Sequence, residues 1–233
     1  KNFHMKIEIW SDVMCPFCYI GKKHFEQALT QIPYQDKIQV EWKSFQLNPD
    51  LSKTEVTSVD DYLVNAKGVS TEQIASMHKQ LAEMGKVVGI DFQQQNSQVV
   101  NTGDAHRLIH FAQVNGKGSE AEERLFKAYF TEGKNIADHE TLAELGEEIG
   151  LNKTEILEML NSDAYVFDVA SDILDSRNIG VTGVPFFVID RKYSISGAQP
   201  VEYFVSALTQ AYEKDYVNKP ENDASCAIDG NCD

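Results

Sequence analysis

Residues 6–21, KIEIWSDVMCPFCYIG, decide the architecture. Ile7 and Ile9 alternate with Lys6, Glu8 and Trp10, the two-residue period of a half-buried strand. Pro16 opens a different period. Phe17, Ile20, His24, Phe25, Ala28, Leu29 and Ile32 recur at spacings of three and four and stop at Pro33, which predicts an amphipathic helix. A strand therefore feeds directly into a helix, with Cys15 and Cys18 at the junction. Further out, residues 37–47, KIQVEWKSFQL, alternate again, with Ile38, Val40, Trp42 and Phe45 as the apolar set, one slip near Ser44, and Asn48-Pro49 closing the run. The unit is β-α-β, and its second strand is expected to run parallel to the first.

Helical spacing dominates residues 58–179. The clearest segments are Asp104 to Asn115, Glu120 to Thr131, His139 to Ile149, Lys153 to Asn161 and Tyr165 to Asn178, with Asp138 and Asn152 as expected N-caps. The strand period returns over residues 184–190 and 193–196, and a last helix is expected from Val201 to about Tyr216. The expected fold is α/β: a sheet domain of residues 5–57 and 180–217, interrupted by an all-helical subdomain of residues 58–179 and followed by an acidic tail, residues 218–233.

The 233 residues are 42% hydrophobic and 24% charged, ordinary values for a globule that buries a core without cross-links. The formal charge of −15 repels phosphate backbones and anionic lipid, so neither nucleic acid nor a membrane is an expected partner. No apolar run approaches the roughly 18 residues of a membrane helix. Residues 1–12, KNFHMKIEIWSD, lack the apolar core of a secretory signal, and a cytoplasmic protein is the expectation. The four cysteines form two close pairs, Cys15 with Cys18 and Cys226 with Cys232. In a reducing compartment such pairs seldom staple a fold, which points to redox chemistry or metal binding.

Proline at the first helical position costs no hydrogen bond, so Pro16 makes Cys15 the N-cap and Cys18 the third helical residue. An N-cap side chain accepts from the second and third amides, here Phe17 and Cys18, and the helix dipole adds a positive field. That setting favours a sulfur anion. Cys15 is expected to attack, and Cys18, one turn further in on the apolar side, to resolve the mixed disulfide. The motif could instead be half of a zinc site, two inert buried thiols or a chance pair. A zinc knuckle wants a second knuckle on a nearby loop, and its only mate here, Cys226 and Cys232, has five residues between the thiols. No metal is expected.

Residues 183–189, GVPFFVI, place Pro185 at the start of a strand, where it need not donate to the ladder and where a cis bond is tolerated. A trans edge-strand proline is the other reading. Together with SDVMCPFCYIG (residues 11–21), FQLNP (45–49), DAHRLIHFA (104–112), AYF (128–130) with Glu132 and Gly133, and GVTGVPFFVID (180–190), the chain resembles the DsbA-like thioredoxin-fold family, and within it the FrnE-like cytoplasmic branch. The resemblance covers nearly everything from Met5 to Tyr216. It implies a thioredoxin fold with the helical subdomain inserted, a cis Pro185 opposite Cys15, and a Val184 backbone that pairs with an extended substrate segment. It also implies thiol–disulfide exchange on protein cysteines through Cys15 and Cys18, with no cofactor. The implied partners are protein thiols and disulfides and a redox partner, glutathione or the thioredoxin system. Some family members carry serine at the first position and use glutathione to isomerise small molecules, the 2-hydroxychromene-2-carboxylate isomerases. Cys15 argues against that activity, which stands as the alternative.

Cys226 and Cys232, in CAIDGNC, sit among Asp223, Asp229 and Asp233, which makes them slow nucleophiles. They are a candidate secondary redox pair, because residues 218–225 can span about 26 Å. A local disulfide or two free thiols are the alternatives. The acidic tail lacks the oxygen spacing of a calcium loop. His106 and His110 are four apart but have no third ligand in view, so they read as core or surface histidines. Phe126, Tyr129 and Phe130 read as core before they read as the lining of a small-molecule cleft. Met77, Met84 and Met159 read as packing residues.

Overall fold

The computed structural model describes residues 4–218, so Cys226 and Cys232 lie outside the described residues. The chain runs β1 (Met5–Ser11), α1 (Pro16–Leu29), β2 (Ile38–Ser44), β3 (Thr57–Ser58), α2 (Val59–Lys67), α3 (Thr71–Val87), β4 (Gln98–Val99), α4 (Gly103–Val114), α5 (Gly118–Phe130), α6 (His139–Glu148), α7 (Lys153–Leu160), α8 (Val166–Asn178), β5 (Phe186–Ile189), β6 (Tyr193–Ser196) and α9 (Val201–Tyr212). The main sheet has the order β2-β1-β5-β6, with β1 parallel to β2, antiparallel to β5, and β6 antiparallel to β5. β3 and β4 form a separate antiparallel pair.

β1 departs from the half-buried strand its alternation predicts. It lies at the centre of the sheet with both faces covered, and Glu8 and Trp10 are as buried as Ile7 and Ile9. On one face Phe187, opposite Ile9, meets Phe25 of α1 and Phe204 of α9, with ring centroids 4.7 to 5.9 Å apart. On the other face the Trp10 indole donates to the Asp172 carbonyl of α8 at 3.0 Å, and Glu8 pairs with Arg191. Alternating polarity survives because each polar group on the second face has a partner there.

Between β2 and β5 the chain builds helices whose ends obey local capping chemistry. Asp138 accepts from the Thr141 amide at 2.8 Å, and Asn152 accepts from the Thr154 and Glu155 amides at 2.9 and 3.2 Å. Ser70 and Gln73 form a capping box at the start of α3. Gly68 takes the left-handed conformation that ends α2. Tyr19 of α1 stacks on Phe126 of α5 at 4.9 Å and meets Phe92 edge-on, so Phe126, Tyr129 and Phe130 are core and the helices share one apolar interior with the sheet.

Two expectations are corrected. Met159 is buried, but Met77 and Met84 are each 41% exposed, because α3 lies on the surface and buries only Ile74 and Gly85. The last α-helix stops at Tyr212, and residues Glu213–Val217 form a π-helical turn. There Tyr216 donates to Asp190 at 2.7 Å and reaches the His4 carbonyl at 3.4 Å, which sets the end of the described chain beside the start of β1, away from the cysteines. Among the described residues no helix is long and apolar enough to cross a membrane.

Candidate active site

The segment between β1 and α1 is shaped by Asp12, which is fully buried. Its carboxylate accepts from the Leu47 amide at 2.8 Å and from the Met14 amide at 3.4 Å, while its carbonyl accepts from Cys15 N–H at 2.9 Å. Cys15 is the N-cap of α1, Pro16 opens the helix, and the Cys15 carbonyl accepts from the Cys18 amide at 3.0 Å. One part of the sequence reading fails here. The Cys15 sulfur makes no capping hydrogen bond to Phe17 or Cys18; it lies 3.6 Å from the Val184 carbonyl oxygen, across the gap to the next loop. The backbone carbonyl serves the first turn, and the sulfur, buried, faces the Val184 carbonyl instead.

Both thiols are free, and their settings differ. Cys15 is 5% exposed and Cys18 1%, while Phe17 between them is 47% exposed. Burial first, and then the neighbouring Cys15 sulfur, push the Cys18 thiol well above its ordinary value; the Asp12 main chain and the Ser11 hydroxyl pull it partly back.

The Val184–Pro185 peptide is cis. Pro185 is locked against α1 from below: a β-carbon at Gly21 would come within 2.9 Å of Pro185 Cγ, so only glycine fits there. The Pro185 carbonyl accepts from the Gly197 amide at 2.8 Å, and the His24 ring lies 2.8 Å from the Gln199 carbonyl. One helix thus carries both cysteines and the two positions that seat the loop facing them.

Sequence reasoning missed a polar group beneath the dithiol. The Ser11 hydroxyl donates to Glu122 of α5 at 2.6 Å, and both are buried. Burial raises the Glu122 carboxyl above its ordinary range, with Ser11, His106 and Lys22 pulling it partly back and Asp12 pushing it further up. His106 Nε2 lies 3.5 Å from Asp12 Oδ1, ion-pair range but too long for a hydrogen bond. Burial opposes a charge on His106, yet Asp12, with Glu122 behind it, outweighs burial and raises the imidazole. His110 instead turns to Asp172 at 3.0 Å and Ser44 at 3.2 Å. The two histidines therefore serve different carboxylates, and among the described residues no cluster fit to hold a metal ion occurs. Ser11 and Asp12 stood in the cysteine motif; Glu122, inside GSEAEERL, carried no signal that set it apart from a surface glutamate.

Comparison with known proteins agrees with this fold. The chain is 30% identical over 211 residues to "Uncharacterized protein YwbO" of Bacillus subtilis, covering 89% of this chain and 98% of that one. It superimposes with a TM-score of 0.88 on the crystal structure of the "probable DsbA oxidoreductase" SCO1869 of Streptomyces coelicolor, 36% identical and covering 97% of this chain and 98% of that one. The fold alone is shared with a 2-hydroxychromene-2-carboxylate isomerase at 13% identity, TM-score 0.66, covering 91% and 98% of the two chains. The same holds for the cytosolic disulfide reductase DsbM of Pseudomonas aeruginosa at 16% identity, TM-score 0.63, covering 90% and 100%; DsbM has also been solved with GSH. The family model that matches residues 6–209 is the DSBA-like thioredoxin domain, and the chain belongs to that family.

Proposed function

We propose that this protein is a thiol–disulfide oxidoreductase acting on protein cysteines, with Cys15 as the attacking sulfur, Cys18 as the resolving sulfur, and Val184 and Pro185 as the backbone against which an extended substrate segment lies. The observation that carries the reading is the asymmetry of the dithiol. Cys15 faces the Val184 carbonyl at 3.6 Å beside the exposed Phe17, whereas Cys18 is closed off beneath it. A sulfur at a helix N-terminus next to an accessible backbone edge suits capture of a disulfide, and a dry thiol one turn away suits its release. Glutathione is the redox partner we favour, in the cytoplasm; the relative solved with GSH shares this fold.

The isomerase reading shares the fold but gives the second thiol no task. Cys226 and Cys232 are proposed as a secondary redox pair. The described chain ends at the start of β1, and the strand is about 20 Å long, so Cys226 reaches Cys15 only on a nearly straight path while Cys232 has chain to spare.

The test is mass analysis after mixing each variant with an oxidised, disulfide-bonded peptide. Cys18→Ser is expected to accumulate a mixed disulfide with the peptide at Cys15, and Cys15→Ser to form no adduct. Adduct at Cys18 in Cys15→Ser, with none at Cys15 in Cys18→Ser, would reverse the assignment.

A further inference from the structure

The β2 edge of the main sheet is capped by a side chain over part of its length and open over the rest. At Trp42 the outward amide and carbonyl of this edge strand are both taken by one residue: the Gln113 carboxamide of α4 accepts from the Trp42 amide at 2.7 Å and donates to the Trp42 carbonyl at 3.1 Å. Gln113 thus stands in for a neighbouring strand. Gly118 leaves it the room, since a β-carbon there would collide with Gln113 Cγ. Two residues further on, Ser44 turns its amide to Asp172 at 2.9 Å. The two-residue alternation of a strand puts Ile38 and Val40 on the same outward side. The Ile38 amide closes the preceding 3-10 turn on the Gln35 carbonyl. The Ile38 carbonyl and the Val40 amide and carbonyl have no partner among the described residues.

Beside those open groups runs a groove of about 440 Å³ between β2 and the connection from α4 to α5. Val40 and Val114 give it apolar walls, Val114 being 75% exposed. Its titratable groups are Glu41, Glu120 and His110, and no lysine or arginine lines it. Glu41 is held by Lys6 and Lys43 at 2.5 Å each, and His110 turns to Asp172 and Ser44. Among the described residues Glu120 pairs only with Lys117, at 3.2 Å, in an exposed and therefore weak ion pair. A second copy of the chain would bring another charge of −15 to this edge, whereas a cationic segment meets no such repulsion.

We propose that the β2 edge at residues 38–40 is a docking site for an extended polypeptide segment that carries lysine or arginine. The backbone of the segment continues the sheet at Val40, as the Gln113 carboxamide does at Trp42, and its cation reaches Glu120. Strand addition of this kind draws affinity from main-chain hydrogen bonds, and the side chains beside the edge select the sequence. Val40 lies opposite Ile7. Ile7 comes four residues before Ser11, so the open edge is set back about 13 Å from the end of β1 that leads to Cys15. It can hold a polypeptide without touching the dithiol, and the proposal stands apart from the thiol–disulfide reading.

The experiment is isothermal titration of the unaltered protein with a short capped peptide of alternating valine and lysine. Beside it run the same peptide with glutamate for lysine and the same peptide methylated on every backbone nitrogen. The lysine peptide is expected to bind, more weakly as salt rises, and the other two to show no binding. Val40→Pro removes the outward amide without touching a bond to β1, and should weaken binding about tenfold or more. Glu120→Gln should weaken it about two- to fivefold. Far-UV circular dichroism checks that both variants fold; if Val40→Pro does not, the methylated peptide carries the backbone test. Binding undiminished in Glu120→Gln or in a folded Val40→Pro, equal binding of the glutamate or the methylated peptide, or no binding of the lysine peptide overturns the proposal. A dimer of the unaltered protein in sedimentation that Val40→Pro dissolves also overturns it, and gives the edge to a second copy of the chain.

Discussion

The two sides of one helical turn are different media. Above it, Cys15 looks across a gap at the Val184 carbonyl, with Phe17 exposed beside it and Pro185 pressed onto Gly21. Below it, Cys18 is closed off beside Ser11 and Asp12, which in turn face Glu122 and His106, all buried and supplied by β1, the segment after it, and two helices of the central block. The upper side is built from backbone and apolar surface. The lower side is built from buried ionisable groups that face one another and can hold charge and protons. The comparison teaches that the helical block supplies the chemical underside of the site that the sheet presents.

Four substitutions or conditions probe that contrast. Phe126→Ala removes the ring that stacks on Tyr19 and ties α5 to the cysteine helix; it is expected to cost about 3–5 kcal/mol in chemical denaturation. A loss under about 1 kcal/mol would mean that the block and the sheet are not one cooperative unit. Gly21→Ala sets a methyl group against Pro185 Cγ, which must move; about 1–3 kcal/mol of stability and a raised KM for an oxidised peptide are expected, with kcat less affected. An unchanged KM would detach Pro185 from substrate recognition.

The pH dependence of stability reads the lower side. Glu122 and His106 both hold protons more tightly in the folded protein than their ordinary values of 4.5 and 6.5 would allow. The native chain therefore binds more protons than the unfolded one as pH rises past those values. This stabilisation is complete below the ordinary values and is lost as pH climbs through the raised ones. Glu122→Gln should remove the carboxyl's share of that decline, at most about 1.4 kcal/mol per pH unit, in urea midpoints measured across pH. A steeper decline in the variant would assign the opposite sign to Glu122. Phe17→Ala, on the open side, should change stability by less than about 0.5 kcal/mol while weakening peptide capture. A large loss of stability there would show that Phe17 packs inward.

Much of this was legible in residues that act on their near neighbours. The period of residues 6–10 and 16–32 dictated strand then helix, Pro16 put Cys15 at the helix start, and Asp138 and Asn152 capped the helices they precede. These features follow from sterics and hydrogen bonds within a turn or two of chain, so any fold that contains the segment must honour them. The burial of β1 on its second face, the turning of the Cys15 sulfur toward Val184, and the seating of Glu122 under Ser11 did not follow from local pattern. Ser11 and Glu122 are 111 residues apart, and a glutamate in GSEAEERL has the same local pattern whether it meets water or a serine hydroxyl. Only the packing of α5 against the end of β1 decides which, because burial and pairing belong to the assembled elements and not to any one of them.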